Sequence, residues 1–193
     1  MTAVAVASRS ASEATLGALQ ADDFALLGLP RRFALDEAEL NQRRQALQRL
    51  AHPDRHAAQG AAAQRVAMQW SVRINEAYER LRDPLRRAAY WCELHGVPVQ
   101  AESNTAMPAD FLAQQMQWRE ALDDAGGDTN ALRALEADVQ AERARRLQAL
   151  AHAIDDAGDA QAAVAQVRAL MFIERLLDEL HARLHAAAHT EHD

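Results

Sequence analysis

Lysine is missing altogether: each of the 21 basic residues in this 193-residue chain is an arginine, a compositional bias to which we attach no mechanism. Cysteine occurs once, at Cys92, which excludes a disulfide framework and a cysteine-rich metal centre. Its place beside Trp91 on an apolar helix face marks it as core. Aromatics make up 5% of the chain, and glycine and proline number only 7 and 5, which argues against a short-stranded β architecture. No apolar run approaches the roughly 18 residues that a membrane-spanning helix needs. Residues 1–8 are apolar but too short for the hydrophobic core of a secretion signal, and no arginine precedes them. The expectation is a soluble, cytoplasmic protein without membrane contact.

What is present is helix-forming. Ala, Leu, Gln, Glu and Arg dominate, and apolar residues reach 49%, enough for one domain core or two small ones. The net charge of −7 is unevenly placed, since residues 1–96 carry 13 Arg against 11 acidic residues and residues 97–193 carry 8 against 17. That asymmetry points to two modules with different partners and argues against nucleic acid as the target of the acidic half. Residues 1–20 have no sustained period and are expected to form a flexible extension. Asp22 and Asp23 supply acidic capping for a short helix that ends before Leu29-Pro30. Asp36 is a good N-cap for the next helix, with Glu39 in capping-box position and Leu40, Arg44, Leu47 and Ala51 on one face. A third helix, about 61–81, carries Ala67, Trp70, Ile74, Ala77 and Leu81 on one stripe, flanked by Tyr78. Asp83-Pro84 starts a fourth that stops at Gly96. Residues 97–107 look like a linker. Three longer helices follow, near 108–125, 128–157 and 159–188, joined by short Gly-containing connections that imply an antiparallel three-helix bundle.

Between the second and third helices lies Ala51-His52-Pro53-Asp54-Arg55. Proline pushes the residue before it out of the helical region, so His52 ends its helix and Pro53 and Asp54 fall in a stiff, exposed loop. Helix, His-Pro-Asp, helix is the arrangement of J-domains, and the stretch Asn75-Glu76-Ala77-Tyr78 resembles their third helix. Leu27-Gly28-Leu29-Pro30, Leu81-Arg82-Asp83-Pro84 and Leu94-His95-Gly96, together with the acidic helical C-terminal half, resemble the HscB family, the J-type co-chaperones of iron–sulfur cluster assembly. The resemblance covers about residues 22–184. It implies an all-α fold with a J-domain over 21–96, a helical hairpin with short flanking helices, and a scaffold-binding three-helix bundle over 108–189. It further implies a non-enzymatic adaptor that stimulates ATP hydrolysis by a DnaK-type chaperone, HscA, and presents to it the iron–sulfur scaffold IscU. His52, Pro53 and Asp54 would form the triggering loop, with Arg43, Arg49 and Arg55 as a basic face beside it. Physically, an exposed carboxylate on a stiff loop can accept a charge-assisted hydrogen bond from a partner arginine. The local excess of arginine between residues 40 and 56 suits steering onto an acidic surface. A solvated helix face is the plainer account of Arg43 and Arg49. The aromatics that J-domains usually place just before the His and about two turns earlier are here Ala51 and Arg44, and Trp70 and Trp91 are the expected compensators.

Periodicity exposes a second surface. On the helix near residue 108, Phe111, Gln115, Trp118 and Leu122 share a narrow core arc, while Leu112 and Met116 lie roughly 100–140° away at 100° per residue. On the last helix Val167, Leu170, Ile173, Leu177 and Leu184 form the core stripe, and Phe172 projects nearly opposite. Apolar residues on two polar faces, rimmed by carboxylates, suggest a contact patch, although packing on another element would serve equally. The family's scaffold-binding positions fall on Leu112, Ala113, Met116, Gln117, Glu120, Asp124 and Phe172, of which Ala113 and Gln117 are smaller or less acidic than the family's usual residues. His181, His185 and His189 recur every four residues but lack a fourth ligand, so a solvated stripe is expected in place of a metal site. No cofactor is implied, and a monomer or weak homodimer is expected. A J-like interaction module for a different client, with no iron–sulfur role, is the alternative.

Overall fold

The computed structural model describes residues 21–52, 54, 58, 60–99, 107 and 109–190, and every described regular element is helical. In order these are α1 (Asp23–Leu27), α2 (Glu37–Ala51), α3 (Ala61–Arg82), α4 (Pro84–Leu94), α5 (Ala109–Ala125), α6 (Thr129–Ala151), a π-helical turn (His152–Asp156) and α7 (Ala160–Thr190). The chain divides into two compact units, residues 1–87 and 88–193.

In the first unit α2 and α3 pair as an antiparallel hairpin. Asn41 accepts from the Tyr78 hydroxyl at 2.8 Å, and Gln48 bonds both the Ser71 carbonyl at 3.0 Å and Asn75 Oδ1 at 2.9 Å. The expected stripes hold: Leu40 and Ala51 on α2, and Ala67, Ile74, Ala77 and Leu81 on α3, are buried. Asp36 caps α2 through the Ala38 N–H at 2.8 Å. Glu39 departs from the capping-box expectation and pairs one turn forward with Arg43 at 3.1 Å. One of the two missing aromatics, at Arg44, is made good differently than expected. Arg44 lays its guanidinium over the Tyr78 ring, 4.4 Å from the centroid, so a cation–π contact fills that side of the hairpin. Trp70 is only half-buried, and Trp91 lies in the second unit, stacked on His95 with centroids 3.8 Å apart.

α1 is five residues long and cannot stand alone. Asp22 caps it through the Ala25 N–H at 3.0 Å. Gly28 closes it in the left-handed conformation, with φ of 65°, while its N–H and that of Leu29 bond back to Ala25 and Phe24. The second aspartate is not the exposed capping charge that was expected. Asp23 is completely buried, its Oδ1 2.7 Å from Arg73 Nη1 and its Oδ2 accepting from Arg80 Nη1 at 2.9 Å. Two arginines seven residues apart on α3, about two helical turns, therefore hold α1 in place, and Phe24 and Leu27 are buried with it.

The second unit is an up-down-up bundle whose direction can be read from its contacts. Trp118 Nε1 donates to Asp138 at 2.7 Å and Arg146 lies over Phe111 at 4.6 Å, so α5 and α6 run antiparallel. Arg143 meets Glu174 at 2.7 Å and His181 meets Glu136 at 2.8 Å, so α6 and α7 are also antiparallel. α5 and α7 are then parallel neighbours, as Phe111–Phe172 and Arg119–Glu179 require. The core holds Phe111, Trp118, Leu122, Leu132, Val139, Ile173, Leu176 and Leu180, and Cys92 is buried within the unit's α4 segment. The helix expected to run to 157 changes hand-over after Ala151, where the Ala157 N–H bonds the His152 carbonyl five residues back, a π turn that brings α6 to the Gly158 break.

Replacing Arg73 and Arg80 together with methionine leaves the buried Asp23 carboxylate without a counter-charge. The expected loss is about 3 kcal/mol, the low end for breaking a buried pair because Arg80 is partly solvated. Urea unfolding of the two variants and the double mutant checks it.

Candidate functional site

The loop after α2 is presented as its sequence requires. His52 takes extended backbone, with φ of −64° and ψ of 126°, at the C-cap of α2. Its side chain is 59% exposed and that of Asp54 is 90% exposed. The Asp54 N–H donates to His52 Nδ1 at 3.3 Å, while the Asp54 carboxylate lies 3.6 Å from the same nitrogen. The imidazole thus holds the loop backbone and leaves the carboxylate to solvent. Pro53 and Arg55 lie outside the described residues. Arg49 is exposed near the end of α2, and Arg43, one and a half turns earlier, is half-exposed and engaged by Glu39. The basic face is therefore partly neutralised from within its own helix.

On α5 the residues singled out by periodicity are all exposed. Leu112 is 42% and Met116 65% accessible, and Ala113, Gln117, Glu120 and Asp124 continue the face. Leu112, Met116 and Glu120 follow at four-residue steps along one row, with Ala113, Gln117 and Asp124 beside them. Phe172 corrects the expectation that it stands opposite the α7 core. It is half-buried, edge-on to Phe111 with centroids 6.1 Å apart, and Arg119 lies over its ring at 5.6 Å. It meets α5 between the core arc and the row of Leu112, so it borders the patch without leaving the core.

Arg119 was not anticipated. Besides covering Phe172 it donates to Glu179 at 2.5 Å. Glu179 also accepts from Arg183 at 3.1 Å, and Arg183 reaches the Leu122 carbonyl at 2.7 Å and Asp123 at 3.5 Å. The sequence signal was available: Arg119 is three residues past Met116 and seven past Leu112, a cation on the apolar row of an acidic helix. Partial burial pushes the Glu179 carboxyl up, but the hydrogen bonds and charges of Arg119 and Arg183 outweigh it and hold the group below its ordinary value of 4.5. Of the histidine row, His181 engages Glu136 and His185 is exposed; the side chain of His189 lies outside the described residues. Among the described residues no three His, Cys, Asp or Glu side chains converge as a metal set, and no helix is long and apolar enough to cross a membrane.

A J-like hairpin displaying His52 and Asp54, followed by a three-helix bundle, defines a J-type co-chaperone. Residues 107–181 match the HSCB C-terminal oligomerisation domain. The co-chaperone protein HscB homolog of Bordetella pertussis is 53% identical over 161 residues, covering 83% of this chain and 95% of that protein. Its counterpart in Burkholderia pseudomallei is 50% identical over 173 residues, covering 89% and 98%. Among solved structures, chaperone HscB from Vibrio cholerae matches with a TM-score of 0.76 at 35% identity, covering 83% of this chain and 96% of that one. Human co-chaperone protein HscB matches at 0.77 and 26%, covering 85% and 82%. The chain belongs to the HscB co-chaperone family.

Because the folded value for Glu179 lies below the unfolded one, its contribution is complete above about pH 4.5 and is lost as pH falls through the folded value. The wild type is therefore expected to lose more stability between pH 5 and pH 3 than Glu179→Gln, read from urea midpoints at a series of pH values (about these limits).

Proposed function

We propose that this protein is a non-enzymatic adaptor that stimulates the ATPase of a DnaK-type chaperone, HscA, and delivers to it the iron–sulfur scaffold IscU. His52, Pro53 and Asp54 are the trigger, and Arg43, Arg49 and Arg55 steer it. The observation that carries the trigger assignment is the exposure of Asp54 beside a proline, with His52 tethering the backbone. A carboxylate so placed keeps its hydration until a partner arginine replaces it, and its stiff backbone limits the ordering cost of binding.

Leu112, Ala113, Met116, Gln117, Glu120, Asp124 and Phe172 carry the scaffold. Leu112 and Met116 supply removable apolar area, Phe172 a preset aromatic edge, and Glu120 and Asp124 a carboxylate rim. This is the composition expected of a contact patch with an apolar centre and a charged border. The family membership supports both assignments, and nothing in the patch favours a different client.

His52→Gln is expected to abolish stimulation of HscA ATPase while leaving IscU affinity unchanged, checked by steady-state phosphate release and by calorimetry. Normal stimulation by the mutant would sink the loop assignment. Leu112→Ala combined with Met116→Ala is expected to weaken IscU binding about 10- to 100-fold, since two central apolar contacts each contribute more than about 1 kcal/mol at a hot spot. Unchanged affinity would move the client to another surface.

A further inference from the structure

Arg119 is the one basic residue of α5, a helix that also carries Asp110, Glu120, Asp123 and Asp124, and the proposed function leaves it without a role. It follows Leu112 by seven residues and Met116 by three. At 100° per residue it therefore points within about 20° of the first and 60° of the second. Its side chain is half-exposed but engaged twice. Nη1 donates to Glu179 at 2.5 Å, and the guanidinium lies 5.6 Å from the centroid of the Phe172 ring. Glu179 is held in turn by Arg183 at 3.1 Å. Phe172 also meets Phe111 edge-on, with centroids 6.1 Å apart. Phe111 and Arg119 are eight residues apart, about 12 Å along α5, so the ring is contacted from two points on that helix.

We propose that Arg119 is a positioning residue for scaffold binding: it holds the Phe172 ring in one orientation and does not itself touch the scaffold. The proposal rests on the reading that Leu112, Met116 and Phe172 carry the scaffold. A phenylalanine on a helix has two accessible χ1 wells. A guanidinium over the ring favours the well in which that contact is made, because the attraction is lost when the ring swings away. A ring ordered beforehand loses no rotamer freedom on association. Direct contact between Arg119 and the scaffold is disfavoured by charge. Partial burial raises the Glu179 carboxyl, yet the hydrogen bonds and charges of Arg119 and Arg183 hold it below its ordinary value. The charge of Arg119 is thus already matched within the bundle, and a carboxylate on the scaffold would have to displace Glu179 from a short, charge-assisted bond. Its remaining route to the scaffold is through the ring.

The test is a double-mutant cycle on IscU affinity, measured by calorimetry with the full-length chain, joined to three-bond couplings that report the Phe172 χ1 rotamer in the unbound protein. Arg119→Ala removes the guanidinium and puts a strong helix former at a half-exposed site, so α5 persists. Phe172 is expected to keep one χ1 rotamer in the wild type and to average between two in Arg119→Ala. The same variant is expected to bind IscU about 3- to 10-fold more weakly, the ordering cost of one side chain. In a Phe172→Ala background, Arg119→Ala then changes affinity by less than about 2-fold. A single Phe172 rotamer in Arg119→Ala overturns the proposal. Full IscU affinity in Arg119→Ala, where Phe172→Ala loses it, overturns the proposal and leaves the scaffold-binding reading standing. Losses that multiply in the double variant mean that Arg119 meets the scaffold directly, which overturns it too. Full affinity in Phe172→Ala removes the scaffold-binding reading of Phe172, and the proposal with it.

Discussion

The first unit depends on one buried carboxylate. Asp23 has no access to water and is met by Arg73 and Arg80 from a single face of α3. A charge so buried is tolerated only when paired, and the attraction is strong because the surroundings are poorly polarisable. The pairing is geometric as well as energetic. α1 is a turn and a half long and would not persist by propensity, yet it supplies Phe24 and Leu27 to the core. The two guanidiniums fix its place along α3, and Arg73 extends the same hold to the Ala21 carbonyl. With α1 covering one side, α2 and α3 are held side by side as an antiparallel hairpin. The exposed loop at His52 thus rests on an ion pair formed by residues far from it in the fold of the hairpin.

Much of this was legible in the sequence, and the exceptions have identifiable causes. Pro53 and Asp36 act within a few residues of themselves, so the end of α2 at His52 and its start at Asp36 could be read directly. Core stripes on α2, α3, α5 and α7 follow from period alone. Asp23 could not be distinguished from Asp22 that way, because its fate is set by arginines 50 and 57 residues later. Arg44 shows the same limit. On its own helix it sits on the core arc where an aromatic is usual, which looks like a defect. Only the register of the hairpin reveals Tyr78 beneath its guanidinium, and a ring and a cation together replace the missing ring.

The exposed patch on α5 was half legible for a related reason. Leu112 and Met116 lie on a face that no neighbouring helix needs, and angle alone finds them. Phe172 was placed by angle too, but the helical wheel gives its direction from the α7 axis and says nothing of what stands there. α5 runs parallel to α7 at an offset of about 60 residues, as the pairs Phe111–Phe172 and Arg119–Glu179 record. Phe172 is therefore directed at the seam between those helices. The run Arg119, Glu179, Arg183 and Asp123 stitches that same seam at the surface, and no single-helix pattern could have joined these four.

Setting an aromatic at such a seam has a consequence for recognition. A fully exposed phenylalanine must be ordered by its partner, at a cost in rotamer freedom, and would meanwhile invite nonspecific association. Phe172 is ordered beforehand, by an edge contact from Phe111 below and a guanidinium over its face. Leu112 and Met116 are not restrained in this way, and methionine is well suited to adapt to an irregular surface. In the proposed role the patch thus joins one rigid apolar edge to two adaptable side chains. The carboxylates Glu120 and Asp124 border it where solvent still screens them, so their effect falls mainly on encounter and orientation, while retention comes from the apolar centre.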